Sequence, residues 1–344
     1  MSQRVRRYGT WALLLAVAGL LPFVVTGGPA RLLANTALIY ALLAASWNLT
    51  LGFGGIFNFA HVGFFGVGGY TMAVATATLE WSPWPSLLLS LATGALAGGV
   101  AYLPVIRMRG IYIALITFIF VQLCYYLVLA LPSLTGGSAG LSGIPALSIG
   151  GFSLARYDGL GYLWLLGATV AVLLIFLSRL LGSSFGKSLI ALRDNESLAV
   201  SRGINRVRQQ LLAFVVSGAI AGFTGALYVS FFRVADETLF SFGFVTFGLS
   251  MMFLGGIGHI WGPVIGAVVI AYVDRQLTDL GSYSAIIIGV GTVLVLIFLP
   301  KGIAGVLQEG FAALFQKRRS VAKNEDGEEY AGPTAPEGSR TDVS

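Results

Sequence analysis

Uncharged apolar runs of about 20 residues recur along this chain, and they constrain its fold more than any other feature. "LLAFVVSGAIAGFTGALYVSFF" at 211–232 is one, and "IYIALITFIFVQLCYYLVLA" at 111–130 is another. Each has the length a helix needs to cross a hydrocarbon core roughly 30 Å thick. Hydrocarbon supplies no hydrogen-bond partners, so backbone inside it must bond to itself, as a helix or as a closed barrel. Barrel strands show alternating segments of about ten residues, and that pattern is absent. Charged residues make up only 10% of the chain and hydrophobic ones 56%, against roughly 25% charged in a soluble domain. The expected fold class is an all-α polytopic membrane protein.

Ten spans are expected, near 10–26, 32–50, 56–79, 86–106, 111–131, 160–181, 209–232, 240–257, 260–279 and 283–300. The eighth and ninth are short and glycine-rich. If they form a re-entrant pair, the count falls to eight and both chain ends still share a side. The basic, then apolar start "MSQRVRRYGTWALLLAVAGLLPFVV" mimics a signal peptide, but no small-residue cleavage site follows convincingly. It is expected to be an uncleaved first span. Placing both ends in the cytoplasm leaves only Arg31, Arg156, Arg233 and Arg275, of 21 Lys and Arg, on the outer side, as the positive-inside bias requires. The organisation expected is a cytoplasmic N-terminus (1–9), a transmembrane domain (10–307) and a polar, disordered cytoplasmic tail (308–344). No soluble catalytic domain is expected at either end.

One compact charged segment interrupts the apolar chain: "SLIALRDNESLAVSRGINRVRQQ", 188–210. Gly203 followed by Ile204 has the form of a helix C-terminus, a glycine in the left-handed position and then an apolar residue folding back. Ile204 would then contact Leu198 or Ala199. Asp194 or Asn195 suits the N-cap. The result is a helix of about two turns, too short to persist in water unless it packs on something. It is either an ordinary basic loop held inside by its charge or a docking helix for a cytoplasmic partner.

Between Asn48 and Tyr70 seven glycines interrupt apolar sequence. Clustered glycine permits close helix crossings and a broken helix, whose freed backbone must be buried in protein or line a cavity. Asn48, Asn58 and His61 sit in this stretch. They, and Gln122 further on, are either interhelical hydrogen-bond partners or lining of a translocation path. "GGIGHIWGP" (255–263) echoes part of it and marks an internal repeat or merely shared low complexity. Two histidines and one cysteine, widely spaced, give no metal-ligand cluster, and no cofactor is expected. "GSSFGKS" (182–188) has three residues between its glycines where a phosphate loop needs four. "GLSG" (140–143), with Ser142 and a distant His259, is a weak match to an intramembrane protease motif. Asp274 and Asp279 are the acidic residues an ion-coupled carrier could use, although their place near a span end suits an interface.

Several stretches, in order, resemble permeases of the branched-chain amino acid family of ATP-binding cassette importers, the LivM type. They are "NLTLGFGGIFNFAHVGFFGVGGYT" (48–71), "RGIYIALITFIF" (109–120), "LTGGSAGLSGIP" (134–145), "ALRDNESLAVSRGIN" (191–205), the 211–228 run, "FLGGIGHIWGPVIGA" (253–267) and "FLPKGIAGVL" (298–307). The resemblance implies a non-enzymatic membrane subunit in a bacterial inner membrane. Its partners would be two cytoplasmic ATPase subunits, a second homologous permease subunit and a periplasmic substrate-binding protein. The lipid bilayer is a partner as well, and no nucleic acid is implied. The segment 183–208 would be the coupling loop. Arg193 and Glu196 would be its polar contacts to the ATPase, with Ala199 and Gly203 in its signature. Leu198 stands where the general importer pattern has alanine. A urea- or amide-type permease of the same family, or an ion-coupled secondary transporter, is the alternative.

Overall fold

The computed structural model describes residues 19–20, 22–277, 283–298 and 302–306. The expected N-terminal segment 1–9, most of the expected span 10–26, Asp279 and the tail 308–344 lie outside the described residues. Helices form where the apolar runs are: α1 (Gly28–Asn48), α2 (Ala60–Ala73), α3 (Pro83–Val105), α4 (Ile111–Ala130), α5 (Arg156–Gly182), α6 (Ser184–Asp194), α7 (Glu196–Ser201), α8 (Arg206–Phe232), α9 (Phe242–Gly255), α10 (Gly262–Leu277) and α11 (Tyr283–Phe298). Five of these segments are long and apolar enough to cross a membrane: 28–53, 83–105, 111–130, 156–182 and 206–232. α9, α10 and α11, with 14, 16 and 16 residues, reach only roughly 21–24 Å at 1.5 Å per residue.

The core is built around α8. It packs against α3 and α2 on one side and against α1 on another. The α2–α3–α8 crossing exists because its residues have no side chains. A Cβ on Gly222 would lie 2.5 Å from the Ser90 carbonyl oxygen, and one on Gly68 would lie 2.1 Å from that of Gly222. With no hydrophobic drive between helices in lipid, such backbone-to-backbone approach is what dispersion rewards. α1 is the second axis, with α5 and α10 against it. Its inward face is continuous from Ile39 to Trp47, and Trp47 is fully buried.

Two short ribbons depart from the all-α expectation: Leu141–Ser142 pairs with Val234–Ala235, and Ser148–Ile149 with Phe152–Ser153. They lie in or beside the Gly-rich 132–159 segment. Glycines there adopt positive φ at 136, 137, 140, 143, 150 and 151, and residues 157–159 at the start of α5 are left-handed too, so its regular helix begins only after them. That conformation excludes a helix, so short pairings satisfy the backbone instead.

Candidate functional site

The broken helix expected from the glycine cluster is present. α1 ends in a π-helical turn, Leu49–Phe53, and the chain is non-helical until α2 begins at Ala60. Its freed backbone groups find partners inside the protein. Gly54 N–H donates to the Leu49 carbonyl and Ile56 N–H to that of Thr50, both at 3.0 Å. The Asn58 carbonyl accepts from Trp47 Nε1 at 2.9 Å, and Phe59 N–H donates to Thr117 Oγ1 at 2.9 Å.

Asn48, Asn58 and His61 converge on this break, each essentially inaccessible. Asn48 clamps the α9–α10 turn with both ends of its amide: Oδ1 accepts from Gly258 N–H at 3.0 Å, and Nδ2 donates to the His259 carbonyl at 2.9 Å. Asn58 Nδ2 donates to Thr50 Oγ1 at 2.9 Å. His61 stacks on Trp47 with ring centroids 5.4 Å apart, and its Nε2 shares a 2.8 Å hydrogen bond with Ser46 Oγ. Asn48 thus uses both ends of its amide, whereas Asn58 Oδ1 and His61 Nδ1 are buried with no hydrogen-bond partner among the described residues. Gln122 does not join them. It sits half-buried on α4, with no side-chain hydrogen bond among the described residues.

The charged segment folds into two helices rather than one. α6 is capped by Ser183, whose Oγ accepts from Gly186 N–H at 3.5 Å, and lies on the bundle through buried Leu189 and Leu192. The sequence that mimics a phosphate loop is therefore a capped helix start preceded by another helix. Asn195 caps α7, its Oδ1 accepting from Leu198 N–H at 3.0 Å. Gly203 has φ +87°. Its N–H donates to the Val200 carbonyl at 2.9 Å, and Ile204 N–H donates to that of Ala199 at 3.1 Å, which together make a Schellman motif.

Three anchors fix α7 and its flanks to the bundle. Arg193 Nη1 donates to the Gly52 carbonyl in the π turn at 3.1 Å. Glu196 pairs with Arg109 at 3.2 Å and with Arg206 at 3.6 Å, and Arg206 Nη2 also donates to the Met108 carbonyl at 2.7 Å. Ala199 is 4% exposed and faces inward, whereas its neighbours Leu198 and Val200 are 55% and 48% exposed. Arg193 and Glu196 are therefore engaged by the protein's own residues, and the exposed part of α7 carries Leu198 and Val200 together with Ser197 and Ser201. Sequence reasoning missed both the ion pairs, whose partners are distant in the chain, and this outward apolar pair. An apolar residue on each side of one small buried residue was its only sequence signal.

Ser142 and His259 do not meet. Ser142 pairs with Val234, just past the C-terminal end of α8. His259 lies in the turn clamped by Asn48, beside the Gly52–Arg193 contact near the other end of that helix. No hydrolytic pair forms.

Comparison with known proteins agrees with this architecture. The family described as branched-chain amino acid transport system / permease component matches residues 31–298. The chain is 30% identical over 311 residues to the high-affinity branched-chain amino acid transport system permease protein LivM of Salmonella typhimurium, covering 84% of this chain and 73% of that protein. It is equally similar to LivM of Escherichia coli, at 30% over 312 residues, 85% of this chain and 73% of the other. The high-affinity branched-chain amino acid transport system permease protein LivH of Salmonella typhimurium matches at 28% over 295 residues, 77% of this chain and 91% of its own. No solved structure matches the chain significantly. A family match over most of the chain, on a scaffold of apolar helices, makes this a membrane protein and a transport component rather than an enzyme: the chain belongs to the family of branched-chain amino acid transport system permease components.

Proposed function

We propose that this chain is one of two membrane subunits of an ATP-driven importer in a bacterial inner membrane, carrying branched-chain or closely related amino acids delivered by a periplasmic binding protein. The observation that carries the reading is α7. It is a helix of only six residues, yet it is capped at both ends, tied to three parts of the bundle and left with Leu198 and Val200 uncovered. A free helix that short does not persist in water. A capped, anchored helix that leaves large apolar side chains exposed within a charged segment suits a docking element for a cytoplasmic ATPase. Similarity to both LivM and LivH supports a paired permease, since each is a permease protein of a high-affinity branched-chain amino acid transport system.

The anchors supply a route for force. Displacement of α7 would pull on the π turn of α1 through Arg193 and on the α3–α4 connection through Glu196–Arg109. The π turn is joined to the α9–α10 hairpin through Asn48. ATPase binding drives transport only if it favours one arrangement of these elements over another.

The same contacts bear on topology. The α9–α10 turn meets α1 at Asn48, and Arg275 at the far end of α10 donates to the Pro29 carbonyl. α10 thus runs beside nearly all of α1, which favours two crossings by 240–279 over a re-entrant pair. This contact and the basic-residue bias support ten spans with both ends cytoplasmic.

The test is reconstitution in vesicles. Leucine uptake should require the second permease, the ATPases, the binding protein and ATP together. Uptake by this chain alone, driven by an ion gradient, would reject the reading.

A further inference from the structure

In the half of the bundle away from α7, α1, α8 and α10 enclose a cavity of about 500 Å3, within the range of small-molecule sites, roughly 300–1,000 Å3. Its polar lining is Thr36, Tyr40, Tyr228, Asp274 and Arg275; Leu33, Phe232 and Ala271 contribute apolar wall. Charged residues within apolar helices are costly to keep and mark pathways more often than packing. Here one of each sign stands on consecutive positions of one helix. Tyr40 is 7% exposed, yet neither its hydroxyl nor that of Tyr228 has a hydrogen-bond partner among the described residues. Neither hydroxyl is sealed in the core, and both residues line the cavity, so each keeps hydrogen-bonding capacity for a ligand. Arg275 is held at the rim by its bond to the Pro29 carbonyl, and a guanidinium has further N–H groups to offer.

We infer that this cavity is a binding site for the zwitterion of an aliphatic α-amino acid. Asp274 and the two tyrosine hydroxyls receive the ammonium group. Arg275 receives the carboxylate, and the wall formed by Leu33, Phe232 and Ala271 takes the side chain. The inference deepens the transport reading and rests on it.

The assembled importer carrying Thr36→Cys, with the buried native cysteine removed as Cys124→Ser, is treated in vesicles with a water-soluble thiol reagent while leucine uptake is followed in parallel. L-leucine should slow labelling. 4-Methylpentanoate and 3-methylbutylamine, which each lack one of the two charges, should not. Asp274→Asn should raise the leucine concentration giving half-protection about tenfold, the effect of one lost charge-assisted contact. Tyr40→Phe, which keeps the ring, should raise it by less. Leucine uptake by the unsubstituted importer without any protection overturns the site and leaves the transport reading standing. Equal protection by the singly charged analogues overturns the zwitterion assignment. No leucine uptake by the unsubstituted importer overturns the amino-acid reading and the site with it.

Discussion

The Arg193 guanidinium donates to the Gly52 carbonyl at 3.1 Å, joining the charged segment to the one place where α1 loses its regular hydrogen bonding. A π turn leaves carbonyl groups without their usual helical partners, and Gly52 is accepting from a charged donor rather than from its own helix. A Cβ at position 52 would also lie 2.7 Å from Gly258 N. Three elements far apart in sequence therefore meet at one glycine.

Replacing Arg193 tests that junction. Arg193→Ala removes a hydrogen bond from a charged donor, worth about 1.5–3 kcal/mol when sheltered and less here because the side chain is 36% exposed. Leucine carried per ATP hydrolysed should fall several-fold while the protein stays inserted and the ATPases stay bound. An unchanged ratio would show that this contact does not transmit force.

Glu196→Lys places a third cation between Arg109 and Arg206. Repulsion should release α7 from the bundle, abolishing uptake but not membrane insertion. Because the pair with Arg109 is largely solvent-exposed, Arg109→Ala alone should cost less than about 1 kcal/mol. Paired uptake and thermal-unfolding measurements on the two variants separate these expectations.

Gly203→Val forces a β-branched residue to φ +87°, at a cost of order 1–3 kcal/mol. No atom lies within 4 Å of the position a Cβ would take there, so backbone strain is the whole effect. Uptake should drop, and Gly203→Asn, which tolerates the left-handed region better, should retain more of it than valine does.

Gly222→Leu strikes the α2–α3–α8 crossing, where a Cβ alone already meets backbone. Backbone cannot yield as a flexible side chain can, so overpacking should exceed the usual 1–3 kcal/mol. Loss of a monodisperse protein in detergent is the expected result. Wild-type thermal stability would contradict the packing described.

Helix positions were legible in the sequence because apolar runs of spanning length have few other solutions. The α7 terminus was legible too, since Asn195, Gly203 and Ile204 carry local signals that depend only on nearby backbone. The contacts that give those elements meaning were not. Glu196 finds Arg109 and Arg206, and Asn48 finds the 258–259 turn, only after helices distant in the chain have packed. Nothing in the charge pattern distinguishes a residue that faces a partner from one that faces its own bundle, so Arg193 and Glu196 read as outward contacts. The cavity at Tyr40, Tyr228 and Asp274 draws one group from each of three helices and leaves no linear motif. The two ribbons in 132–159 likewise depend on which glycines turn to positive φ.

The central claim is that α7 lies on the cytoplasmic side with its exposed Leu198 covered by an ATPase. Leu198→Cys, in the Cys124→Ser background, should react with a membrane-impermeant thiol reagent in inside-out vesicles and become shielded when the ATPase subunits are added. Reaction only from the outer side, or labelling unaffected by the ATPases, would contradict it.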